Sequence, residues 1–160
     1  MERVNGILAN RSYRSYLEEI AARESERIYC RHDLQHLTDV ARIAELLNLE
    51  DGYGIAQGLV YAAALLHDCG RHLQYDNGTP HEEASACLAL PILQECGYTQ
   101  TETEDILRAI RLHRNREEAR KYPLADVIYR ADKKSRLCMC CKAYDSCHKK
   151  PGARNEIMTH

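Results

Sequence analysis

Apolar residues recur at intervals of three and four along almost the whole chain, and nowhere do they alternate as a half-buried strand requires. One stripe is Tyr13, Tyr16, Leu17, Ile20 and Ala21, with Ser15 and Glu18 spaced as a capping box. Leu34, Leu37, Ala41 and Ala44 make a second, ending near Asn48. Ile55, Leu59, Ala62 and Leu66 make a third. A polar turn is expected at Tyr75-Asp76-Asn77-Gly78. Thr79-Pro80-His81-Glu82 then reads as a helix start, with Thr79 as N-cap, Pro80 at the first helical position and Glu82 closing a box. That helix carries Ala84, Leu88 and Ile92, with a kink expected at Pro91 and an end by Gly97. Thr101 and Glu104 open another, carrying Ile106, Ala109, Ile110 and His113. A last one follows Pro123 with Leu124, Ile128 and Ala131 on one face. The expectation is an all-α, compact multi-helix bundle of at least six helices with short loops and no internal repeat.

At 160 residues the chain suits a single core, and a hydrophobic share of 44% argues against disorder. The net charge of −2 gives no general reason to expect nucleic acid or a membrane surface as partner. The longest apolar run, Leu59 to Leu66, is too short to span a bilayer, and the first residues carry no signal-peptide core. The expected compartment is the cytoplasm, where eight cysteines are thiols or metal ligands rather than a disulfide framework. Composition shifts at Lys133: residues 133–160 hold seven Lys or Arg, two acids and four cysteines. The expected division is therefore 1–136 as the helical domain and 137–160 as a Cys-rich basic extension.

Chemistry-bearing residues fall at helix ends. His32 precedes the second stripe, and His67 and Asp68 close the third, with Gly70 and Arg71 just after. His81 lies in the first turn of the following helix. His113 and Asp132 continue apolar stripes, three residues after Ile110 and four after Ile128. A single histidine on an apolar stripe is more often a hydrogen-bonded core residue than a ligand. A carboxylate there is harder to accommodate, because an unpaired buried charge is very costly. Several such residues in one small domain fit a common cause, and a metal centre would satisfy all of them.

The ordered set His32, His67-Asp68 and Asp132, with AALLHDCGR, PHEEAS, AIRLH and YRADKKSR around its members, resembles the HD-domain superfamily of metal-dependent phosphohydrolases over about residues 28–136. The resemblance implies a first metal site of His32, His67, Asp68 and Asp132. It implies a second completed by His81 and His113, with Asp68 bridging. Cys69 stands where relatives often have a branched apolar residue, which bears on packing more than on ligation. Mixed imidazole and carboxylate ligands suit Mn, Fe or Co better than a closed structural zinc site. Two such ions can activate water and clamp a phosphoryl group, so no serine or cysteine nucleophile is needed, and Asp68 becomes the central catalytic residue. Arg71, Lys133 and Lys134 flank the ligands and are candidates for holding phosphate oxygens.

The expected activity is hydrolysis of small phosphorylated substrates such as nucleotides. A di-iron oxygenase of the same superfamily and a non-catalytic regulatory module remain as alternatives. His36 and His72 read as surface residues, and His148 and His160 as remote from the ligand set. In the extension, Cys138, Cys141 and Cys147, with Cys140 or His148 as a fourth, are candidates for structural zinc or an iron–sulfur cluster. Cys30, Cys69 and Cys87 read as small core residues, and Cys96 as buried or exposed.

Overall fold

The computed structural model describes residues 1–150 and 152–159, and within them every regular element is helical. The helices are α1 (Glu2–Ala9), α2 (Arg11–Arg23), α3 (Leu34–Glu50), α4 (Gln57–Leu66), α5 (Arg71–Asn77), α6 (His81–Glu95), α7 (Gln100–Leu112), α8 (Arg116–Ala119) and α9 (Pro123–Lys134). A single 3-10 turn, Cys138–Cys140, follows. Among the described residues no helix is long and apolar enough to cross a membrane.

Helix α4 explains the arrangement. Its residues Ala62, Ala63, Ala64, Leu65 and Leu66 are all buried, so its second half has no face for water and sits at the centre. It packs against α3, α7, α9 and α1, and its alanines let those neighbours approach closely. Around it the core is aliphatic: Leu37, Val40 and Leu47 from α3, Ile106 and Ile110 from α7, Val127 and Ile128 from α9. With no Phe or Trp in the chain, Tyr13 supplies a large buried ring, and its hydroxyl donates to Leu65 O at 3.0 Å.

Several details of the helices differ from the sequence reading. Asn10, not Ser15, caps α2, its side chain accepting from the Tyr13 amide. Thr79 does not cap α6; its hydroxyl bonds Asn77 Oδ1 at 2.6 Å, and His81 opens the helix after Pro80. The expected turn at Tyr75–Gly78 is instead the last part of α5, closed by Gly78 at φ +79°. α6 runs unbroken through Pro91, whose missing N–H lies on an exposed face. The capping box of α7 is Thr99 with Glu102, two residues before the expected pair. Gly97, at φ +75° just beyond α6, and Pro123, at the start of α9, stand where the sequence put them.

Candidate metal centre

Helix ends deliver the histidines to one point. His67 follows the last residue of α4, and His113 follows the last of α7, where terminal carbonyls lack helical partners. Each turns its Nδ1 onto the carbonyl three residues back, His67 onto Ala64 O and His113 onto Ile110 O, both at 2.6 Å. A carbonyl only accepts, so Nδ1 carries the proton and Nε2 is left with its lone pair facing inward. His81 is fixed the same way by Gln74 Oε1 at 2.6 Å, and His32 by Glu24 Oε1 at 2.5 Å. For His36 the partner is Ser135 Oγ at 3.2 Å; that hydroxyl gives its own proton to Asp132 O, so His36 Nδ1 must be the donor.

The inward Nε2 atoms surround two carboxylates. Asp68 Oδ1 lies 3.1 Å from His81 Nε2 and 3.7 Å from His113 Nε2. Its Oδ2 lies 3.3 Å from His67 Nε2 and 3.9 Å from both His36 and His32. Asp132 Oδ1 is 3.5 Å from His36 Nε2 and 3.9 Å from His67 Nε2. His81 and His113 face each other Nε2 to Nε2 at 3.1 Å. His81 Nε2 accepts from Arg71 Nη1 at 3.0 Å, but elsewhere acceptors point at acceptors, and His36 Nε2, His67 Nε2 and Asp68 Oδ1 are buried with no hydrogen-bond partner. Such orphaned atoms are very costly unless a cation lies among them. Two triads have ligand atoms within 4.8 Å of one another: His36, His67 and Asp132, and His67, Asp68 and His113.

Three of the histidines have the protonation that ligation needs, whereas His67, which burial alone would lower, is raised by Asp68 beside it. Burial brings His36 down to about 2, reinforced by the positive charge of Arg136. Burial likewise lowers His81 to about 3 and His113 to about 4, so both are neutral imidazoles at physiological pH. Burial alone would raise Asp68, but His67 and its other imidazole neighbours hold it well below the usual carboxylate range. Asp132 is depressed in the same way, against its burial, by His67 and then Lys133. Neutral imidazoles beside ionised carboxylates are the forms that bind a divalent cation.

All six of the residues expected as ligands lie around this point, and His36, which was not expected, lies there with them. His36 enters a close triad, whereas His32 and His81 enter neither, and His32 and His36 stand equally far, 3.9 Å, from Asp68 Oδ2. His32 precedes α3, outside its periodicity, and is anchored by Glu24, which also accepts its backbone N–H at 2.7 Å. Burial would raise Glu24, yet the bond to His32 brings it to about 2. His36 is buried rather than at the surface; the stripe Val40, Ala44, Leu47 runs back to it at helical spacing, a signal that was available. Glu24 and Gln74 carry no local signal of this kind. His72, also buried, stacks on Tyr16 at 5.5 Å and lies away from the centre.

The centre opens into a cavity of about 230 Å³. Arg71 and Lys133 line it as expected, joined by Arg27, Arg114, Arg136 and Lys149. Lys133 Nζ bonds Asp132 Oδ2 at 2.6 Å, whereas Lys134 turns away to Thr159 Oγ1. Cys147 and His148 also form part of the wall, so His148 is not remote from the site; His160 lies outside the described residues. All eight cysteines are unpaired, Cys69 is buried, Cys87 is exposed, and Cys30 and Cys96 are half-buried. Cys87 and Cys30 are therefore not the core residues the sequence suggested.

A model of the HD domain matches residues 33–148, well over half of the chain. The chain belongs to the HD-domain family. This is a superfamily of metal-dependent phosphohydrolases whose members commonly bind divalent metals. The chain is also similar to an uncharacterized protein of Clostridium beijerinckii, 43% identical over 148 residues that cover 92% of each chain. No solved structure matches. The HD-domain match takes in His36 and every later member of the centre, and it continues past Asp132 through His148.

Proposed function

We propose that this HD domain hydrolyses small phosphate esters, nucleotides or other phosphorylated metabolites, with two divalent ions of the Mn, Fe or Co type. The observation that carries the reading is the set of orphaned acceptors, His36 Nε2, His67 Nε2 and Asp68 Oδ1, buried beneath a cation-lined cavity. His36, His67 and Asp132 would hold one ion, and His81 and His113 the other. Asp68 would be shared, since its two oxygens face the two groups. An ion pair so held supplies charge stabilisation for the phosphoryl group and lowers the pKa of water.

The protein's own groups have the remaining tasks. Arg71, with Lys133 beside it, would bind the non-bridging phosphate oxygens, Arg71 being held by Tyr75 at 3.3 Å and by Asp68. His32, its Nδ1 committed to Glu24, presents Nε2 to the cavity and would take a proton from the attacking water. The positive rim favours phosphorylated substrates over neutral ones.

The test is a panel of phosphate esters and nucleotides offered to protein loaded with each metal, with metal content measured on the same samples. Wild type should hydrolyse members of the panel, and Asp68→Ala should lose both metal and turnover. Full metal occupancy in Asp68→Ala, or no turnover by metal-loaded wild type on any member, would overturn the reading.

A further inference from the structure

The C-terminal segment poses a packing problem. Beyond α9 it forms no α-helix among the described residues, and of its apolar side chains only Cys138 and Ala143 are buried. Leu137, Met139, Ile157 and Met158 are exposed. So little apolar burial does not offset the entropy of ordering an irregular segment, and small scaffolds of this kind rely on a staple.

Asn155 ties the segment to the end of α9, and the segment's contacts with the loop before α3 gather around Cys30. Tyr29 donates its hydroxyl to Ser146 O at 3.2 Å and meets the His148 ring edge-on at 5.6 Å. Arg31 O accepts from Arg136 Nη1 at 2.6 Å. The residue before Cys30 is thus tied next to Cys147, and the residue after it is tied just ahead of Cys138. Cys30 consequently lines one cavity with Cys138 and Cys141, and another with Cys147.

We propose that Cys30, Cys138, Cys141 and Cys147 form a four-thiolate site for one zinc-type divalent ion, separate from the histidine–aspartate centre. Cys138 and Cys141 have the CxxC spacing that lets two thiolates share an ion, and four sulfurs close a tetrahedral structural site. Cys140 is exposed, as is Cys87 on α6, while Cys69 is sealed in the core with its thiol pushed up to about 12 by burial. Among the described residues the ligand atoms already grouped within 4.8 Å are histidine and aspartate only. Binding would therefore draw the four sulfurs together, which irregular backbone permits, with each thiol releasing its proton. Arg31 and Arg136 line the same cavity and offset the negative charge that four thiolates leave around a divalent ion. The staple would also fix the wall formed by Cys147, His148 and Lys149 over the active cavity.

The probe is cobalt(II) added to the metal-free full chain, read by thiolate-to-cobalt charge-transfer absorption, which imidazole and carboxylate ligands do not produce. Wild type should show the band by three equivalents, once the histidine–aspartate centre is also filled, Asp68→Ala should show it at one, and Cys140→Ser should keep it. Cys30→Ser should lose it or shift it to a weaker three-thiolate form. In case that variant does not fold, alkylation of zinc-loaded wild type mapped by mass spectrometry gives an independent reading. Cys30, Cys138, Cys141 and Cys147 should be protected together and become reactive together when zinc is chelated, with Cys140 reactive throughout. Absence of the charge-transfer band, an unchanged band in Cys30→Ser, or protection that does not respond to the chelator would each overturn the proposal.

Discussion

Gly70 offers the sharpest test of how the fold positions the centre. It sits between Asp68 and α5, and its N–H donates to Ser85 Oγ at 2.9 Å in the buried seam with α6. A Cβ there would lie 2.4 Å from Ser85 N, 2.6 Å from Ala84 C and 2.8 Å from Ala84 Cβ. Two of these are backbone atoms, which cannot rotate away. Ordinary contact begins near 3.5 Å, so Gly70→Ala must separate the seam by roughly 1 Å. Overpacking of this kind costs about 1–3 kcal/mol, and straining or breaking the buried Gly70–Ser85 bond adds about 1–3 kcal/mol. A loss of about 2–6 kcal/mol is expected on those two figures. His81 stands one turn before Ser85 on α6, with Nε2 3.1 Å from Asp68 Oδ1. A shift of roughly 1 Å also spoils that approach, and perturbed metal surroundings typically weaken affinity by about 10–100-fold. Urea denaturation and manganese titration read the two effects separately. Ser85→Ala is the control, since it removes the hydroxyl without the clash and should lose only about 1–3 kcal/mol. Gly70→Ala no less stable than Ser85→Ala, with wild-type manganese affinity, would refute the account of the seam.

Two further predictions concern the centre and the surface. His36→Ala should empty the metal group that includes His67 and Asp132, whereas His32→Ala should keep most of its metal and lose turnover; metal analysis giving the reverse order would return His32 to the ligand set. Glu102 is held by both Arg3 guanidinium nitrogens, at 2.6 and 2.8 Å, and then by the Thr99 amide, which lowers its pKa from 4.5 to about 2. A carboxylate depressed on folding adds stability above its unfolded pKa and loses it as pH falls through the folded value, here from about pH 4.5 to about 2. Glu102→Gln should therefore cost about 1 kcal/mol near pH 6 and nearly nothing near pH 2, as urea midpoints would show; an equal loss at both would contradict the sign.

The helices were legible in the sequence because their signals are local. Periodicity of three to four over a dozen residues, a proline at a first turn and a glycine past a last turn need no knowledge of the rest of the chain. That is why the second half of α4, apolar on every face, is central, and why Gly97 and Pro123 stand at the ends they mark. The ligand types were legible too, since a buried aspartate or histidine on such a stripe needs a partner. Cap positions were less so: Thr99 and Thr101 are both followed three residues later by glutamate, and Arg3, packed across from α1, bonds the first of those glutamates.

Only the tertiary structure decided which of two buried histidines four residues apart enters a close group of ligand atoms. His36 belongs to α3 and is carried to the centre by the packing of α3 on α4 and α9, while His32 lies before the helix and takes its direction from Glu24, eight residues away. The same holds for the seam at Gly70 and for the cavities whose walls Cys30 shares with Cys138, Cys141 and Cys147. Each depends on where distant segments cross, and a crossing leaves no periodic trace in the residues that make it, because the energy that sets it is shared over many long-range contacts rather than stored in a local pattern.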